Sequence, residues 1–73
     1  MTKITLEMIN SDNKEYDLKK YTDNGREIFF DTTDGRSYNI SRMYSDEPLA
    51  LWFKESDDRW YSIGYVKNVT IEG

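Results

Sequence analysis

Seventy-three residues are enough for one small domain, and we expect a single β domain over 1–73. The chain has no cysteine and no histidine, which excludes disulfides, thiolate metal sites and the side chain best suited to proton transfer near neutral pH. Fourteen acidic residues against ten basic ones give a net charge of −4, and hydrophobic residues make up only 37% of the chain. Two Trp, six Tyr and three Phe offset that shortage, because each aromatic ring can bury ~150–250 Å².

In chain order, the first predicted strand runs over 3–9 and ends in Ser11-Asp12-Asn13-Lys14. That segment is the first of four with one pattern: small or acidic, then Asp or Asn, then Gly, Asn or Asp, then Lys or Arg. The others are Asp23-Asn24-Gly25-Arg26, Thr33-Asp34-Gly35-Arg36 and Ser56-Asp57-Asp58-Arg59. Gly, Asn and Asp tolerate positive φ, which a three-residue hairpin loop needs at its third position. The loop Ser11-Asp12-Asn13 sets Leu6 opposite Leu18 and Met8 opposite Tyr16. The loop Asp23-Asn24-Gly25 sets Leu18 opposite Phe30 and Tyr16 opposite Thr32. Thr33-Asp34-Gly35 sets Phe30 opposite Tyr38 and Ile28 opposite Ile40. These pairs predict strands near 15–21, 27–32 and 37–42. A slip of one residue would turn each apolar set outward.

A linker, Met43 to Pro48, follows. With Ser56-Asp57-Asp58 as a loop, strands at 49–54 and 60–66 pair Phe53 with Tyr61, Leu51 with Ile63 and Leu49 with Tyr65. A short strand at 69–72 ends the chain. The predicted inner face is Ile4, Leu6, Met8, Tyr16, Leu18, Ile28, Phe30, Tyr38, Ile40, Leu49, Leu51, Phe53, Tyr61, Ile63 and Tyr65, closed by Val69 and Ile71. Trp60 to Val69 resembles the last strands of small SH3-like barrels, which implies a barrel. The expected fold is therefore all-β, an antiparallel meander of about six strands curling into an SH3-like barrel or a sandwich. Ser45-Asp46-Glu47-Pro48 also reads as a helix start. The alternative is α+β, with a four-stranded sheet and one helix near 46–55.

The functional reading begins with what is missing. There is no histidine to activate the serines and threonines and no cysteine nucleophile, and the carboxylates fall in turns or on outer faces, so we expect no enzyme, no catalytic residues and no cofactor. Two acidic clusters, Asp12-Glu15-Asp17 and Glu55-Asp57-Asp58, lack the spacing of a calcium loop, so no metal is expected. Size, charge and β content are similar to those of cold-shock proteins. However, their aromatic strand motifs are absent, and Lys19, Lys20, Arg26, Arg36, Lys54 and Arg59 are scattered among acids. That argues against a nucleic-acid track.

Phe29, Trp52 and Trp60 fall on the parity opposite to the core, as does Tyr21. Exposed aromatics are favoured anchors at protein interfaces. Asp46, Glu47, Glu55, Asp57 and Asp58 lie close by in sequence and would form an acidic rim. The leading expectation is a non-enzymatic protein–protein interaction domain that meets another, basic protein or a second copy of itself. One alternative is a small acidic inhibitor, encoded by a phage or mobile element, of a nucleic-acid-acting host enzyme. The other is a single-strand nucleic-acid binder. No stretch is apolar for long enough to cross a bilayer, and Met1-Thr2-Lys3-Ile4-Thr5-Leu6-Glu7 does not read as a secretory signal, so the expected location is the cytoplasm, away from membranes.

Overall fold

Turn chemistry and alternation produce six antiparallel strands. The computed structural model describes residues 2–73. Its strands are β1 (Lys3–Met8), β2 (Asn13–Asp23), β3 (Glu27–Thr32), β4 (Ser37–Ser41), β5 (Leu49–Lys54) and β6 (Trp60–Glu72). Each pairs with the next in the chain, and β6 returns to β1, which closes a barrel and rules out the sandwich. The helix alternative near 46–55 is overturned. Leu49 to Lys54 is a strand hydrogen-bonded on both sides, to β4 and to β6. Two ladders satisfy its backbone and let Leu51 face the core, so alternation outweighs the helix-start signal before it. That signal becomes a turn, in which the Glu47 N–H donates to the Tyr44 carbonyl at 3.1 Å.

The β3–β4 hairpin has the expected register, with Phe30 opposite Tyr38 and Ile28 opposite Ile40. Gly35 holds φ at 88° there, and Asp58 holds 64° in the turn before β6. The first turn differs. Its left-handed residue is Ser11, and the Met8 N–H donates to the Asp12 carbonyl, so the loop is Ile9-Asn10-Ser11. The Asn10 side chain fixes this choice by accepting from the Asp12 N–H at 3.1 Å. Ile4 therefore faces Tyr16, and Leu6 faces Lys14 rather than Leu18. The shift is even-numbered, so every side chain keeps its face. In the second turn Asn24 bonds to Glu27 across Gly25-Arg26, and Leu18 faces Thr32 rather than Phe30.

Three residues without a partner break the ladders. Lys19 is extra on β2 between Leu18 and Lys20, Ile63 on β6 opposite Leu51 and Trp52, and Lys67 on β6 opposite Glu7 and Met8. Two of them sit where a long strand changes neighbours. At Lys19 β2 passes from β1 to β3, and at Lys67 β6 passes from β5 to β1. Such bulges bend and twist a strand, which is how six strands turn the corners of a small ring. The predicted strands at 60–66 and 69–72 are thus one continuous β6.

The core is Ile4, Leu6, Met8, Leu18, Phe30, Tyr38, Ile40, Leu51 and Val66, with Tyr16, Ile28, Leu49, Phe53, Val69 and Ile71 packed against it. Four rings form its densest part. Tyr38 lies 4.7 Å from Tyr16, 5.0 Å from Phe30 and 5.4 Å from Phe53, centroid to centroid. Burial, and then the neighbouring Tyr38, push the Tyr16 phenol up to about 12. Three predicted core residues are exposed instead: Tyr61, Ile63 and Tyr65. The Ile63 bulge explains the last two. It sets Gly64 opposite Leu51 and Val66 opposite Leu49, so Val66 takes the inward place. Tyr61 keeps its side opposite Phe53 but lies at the open end of the barrel, where its hydroxyl meets the Asp57 carboxylate at 3.3 Å.

Candidate functional site

The outer face of β3–β6 is built by the same alternation that fills the core. Phe30, Ile40 and Leu51 point inward, so Phe29, Asn39 and Trp52 point outward. They form one row across the sheet, with Phe29 opposite Asn39, Asn39 opposite Trp52, and Trp52 opposite Ser62. Trp60, opposite Lys54, is the diagonal neighbour of Trp52 on that face, as the sequence predicts. Strands lie about 4.8 Å apart, so β3 and β6 are separated by roughly 14 Å. Even so, the Phe29 and Trp60 rings meet edge to face at 6.4 Å. They reach toward each other over the strands between, and Asn39 is buried although it points away from the core.

Asn39 was not singled out by the sequence. Its Nδ2 donates to Glu27 Oε2 at 3.2 Å, which ties the start of β3 to the middle of the aromatic row. Trp52 is half-buried, and its indole Nε1 is enclosed with no hydrogen-bond partner among the described residues. Phe29 and Trp60 remain 42% and 39% exposed. Trp52 is thus the packed base of the cluster, and the other two rings are its accessible part. Tyr21 is exposed but does not join them. The Lys19 bulge reverses its parity and sets it opposite Phe30.

The five acids do not form one rim. Asp46 and Glu47 precede β5, whereas Glu55, Asp57 and Asp58 follow it, so the two groups stand at opposite ends of a strand about 20 Å long. The second group is largely matched. Asp58 pairs with Lys54 at 3.4 Å, and Asp57 pairs with Arg59 at 3.9 Å and with the Tyr61 hydroxyl. Asp57 is the first cause of the raised Tyr61 phenol. Asp46 and Glu47 have no cation within ion-pair distance among the described residues.

Most of the scattered cations are also taken up locally. Lys20 pairs with Asp31 at 3.6 Å, and Arg36 with Asp34 at 3.8 Å. The Arg36 guanidinium also lies 5.8 Å from the Phe53 ring centre. Arg26 and Arg42 pair with no carboxylate among the described residues, and both line an open groove with Met43, Tyr44 and Leu49. Four of the six acids in the two clusters weighed for calcium make local side-chain contacts. Glu15 lies 3.7 Å from Lys3, and Asp12 accepts from Asn10. Among the described residues no helix is long and apolar enough to cross a membrane.

The chain matches no family model, no curated protein and no solved structure.

Proposed function

We propose that this chain is a non-enzymatic, cytoplasmic protein-interaction domain, and that Phe29 and Trp60 on the outer face of the barrel are its anchors. One observation carries this reading. Two large rings meet edge to face on the solvent side of the sheet and stay about two-fifths exposed, on a base of Trp52 and Asn39 that is already packed. Aromatic anchors on a rigid base keep little conformational freedom to lose on binding, so more of their burial appears as affinity. Asp46 and Glu47, without an ion-pair partner among the described residues, lie at one end of β5 and favour a basic partner surface, whose approach they would steer. A complex of that kind weakens as salt rises.

The test is a crosslinking and pull-down comparison of the wild type with Trp60→Ala and Phe29→Ala, each checked for wild-type circular dichroism. Loss of the same captured protein in both variants is the expected result. Equal recovery by folded variants overturns the reading.

A further inference from the structure

A closed barrel normally leaves no strand edge, but here the two long strands overhang the ring. The pairing of β1 with β2 ends at Lys3 and Asp17, and the Thr2 carbonyl accepts from Leu18. Among the described residues no strand covers that side of β2 from Lys19 to Asp23. At the other end of β1, pairing with β6 stops at Met8 and Val66, and the last contact is the Ile9 N–H on the Tyr65 carbonyl at 3.1 Å. Trp60 to Gly64 therefore pairs with β5 on one side and with no described strand on the other.

These two free edges differ in chemistry. The β2 edge carries Lys19, Lys20 and Asp23, charges of the kind that keep exposed edges from pairing. The β6 edge reads Trp60-Tyr61-Ser62-Ile63-Gly64-Tyr65-Val66, with no charge and no proline, in a chain that is 33% charged. Among the described residues its protection is the Ile63 bulge. The Glu55 N–H bonds to the Arg59 carbonyl, and hydrogen-bonded pairs recur every second residue in an antiparallel ladder. Tyr61 therefore spends its backbone groups on Phe53, and the N–H and C=O of Trp60 and Ser62 point to the open side.

We propose that this edge pairs with the same edge of a second copy, antiparallel about a two-fold axis at Tyr61, so that Trp60 of each chain lies opposite Ser62 of the other. A second copy is the partner that fits. The edge holds no charge for an acidic or basic segment to recognise, and self-pairing satisfies the open groups of Trp60 and Ser62 on both chains in a single contact. It would also bring the exposed Tyr61 side chains of the two copies together and set Trp60 of each beside Ser62 of the other. The edge shares Trp60 with the aromatic cluster but not Phe29, so Phe29→Ala tells the two readings apart: it should lose the captured partner and keep the dimer. The pairing is short, so the dimer is weak, forming between about 10 µM and about 1 mM, as expected for an interface below the standard size.

The test is sedimentation equilibrium across that range, combined with amide exchange by NMR. The wild type should move from monomer to dimer, and the Trp60 and Ser62 amides should exchange about tenfold more slowly at the dimeric end. Each copy carries −4, and the contact is uncharged. Raising salt from about 0.01 M to about 1 M shortens the screening length from about 30 Å to about 3 Å and should tighten the dimer, opposite to the effect on a basic partner. Ser62→Lys and Ser62→Pro should be folded monomers, and Phe29→Ala should dimerise like the wild type. The proposal is overturned by a wild type that stays monomeric at the highest concentration, or by folded Ser62 variants that still dimerise. Concentration-dependent protection at amides other than these two also overturns it.

Discussion

Phe29 and Phe30 are adjacent and identical in type, yet one is 42% exposed and the other 2%. Phe30 stacks on Tyr38 with a 14° interplanar angle, inside a cluster that also holds Tyr16 and Phe53. Phe29 touches Trp60 on the far side of the same sheet. The difference teaches that ring count alone says little about this barrel. Faces are assigned by alternation, and alternation is anchored by the β3–β4 turn. The inner rings hold the fold, while the outer rings are free to act because Asn39 and Trp52 already seal the sheet beneath them.

The strongest way to break this contrast is Phe30→Ala. Removing a buried Phe costs about 3–5 kcal/mol, comparable with the whole stability a core of this size supplies. The variant should be mostly unfolded at 25 °C in a urea titration followed by near-UV circular dichroism. A wild-type midpoint would refute the inner role of the ring.

Next in size is the turn that sets the register. A Cβ on Gly35 would meet nothing within 4 Å, so Gly35→Ala isolates the strain of its positive φ. The expected loss is about 1–2 kcal/mol, read as a lower urea midpoint with an unchanged slope. No loss would mean that the turn does not hold Phe29 and Phe30 in place.

A pH titration sharpens the inner side further. The Tyr16 phenol is raised from 10.0 to about 12, so its neutral form is the one the fold prefers. Its contribution is complete below pH 10 and is lost as pH rises toward about 12. In Tyr16→Phe, thermal melts between those values should fall less steeply than in the wild type. An equal fall in both would assign the pH dependence to other groups.

The smallest stability effect is expected outside. Phe29→Ala should change stability by no more than about 0.5 kcal/mol, as at an ordinary surface position. A loss comparable to that of Phe30→Ala would make the outer cluster a second core rather than a contact surface.

Several parts of this molecule were legible before folding. The β3–β4 pairing, the identity of β5's neighbour in the final hairpin and the outward setting of Phe29, Trp52 and Trp60 follow from turn residues and a period of two. The first turn was displaced because two overlapping segments, Asn10-Ser11-Asp12 and Ser11-Asp12-Asn13, both suit a tight loop, and only the Asn10 side-chain contact separates them. Gly64, interrupting an apolar strand, was the one local sign of the Ile63 bulge. It could have moved Tyr65 outward and Val66 inward.

Strand content, the number of hairpins and the face of nearly every apolar residue from Ile4 to Phe53 are set locally, because each depends on neighbours a few positions apart. Where the bulges fall, which acids lack an ion-pair partner among the described residues and which strand edges remain open are set only when the barrel closes. Lys19 and Lys67 carry no local mark of a bulge. They become bulges because closing six strands into a ring makes β2 and β6 change partners there, and that requirement exists only once distant strands have met.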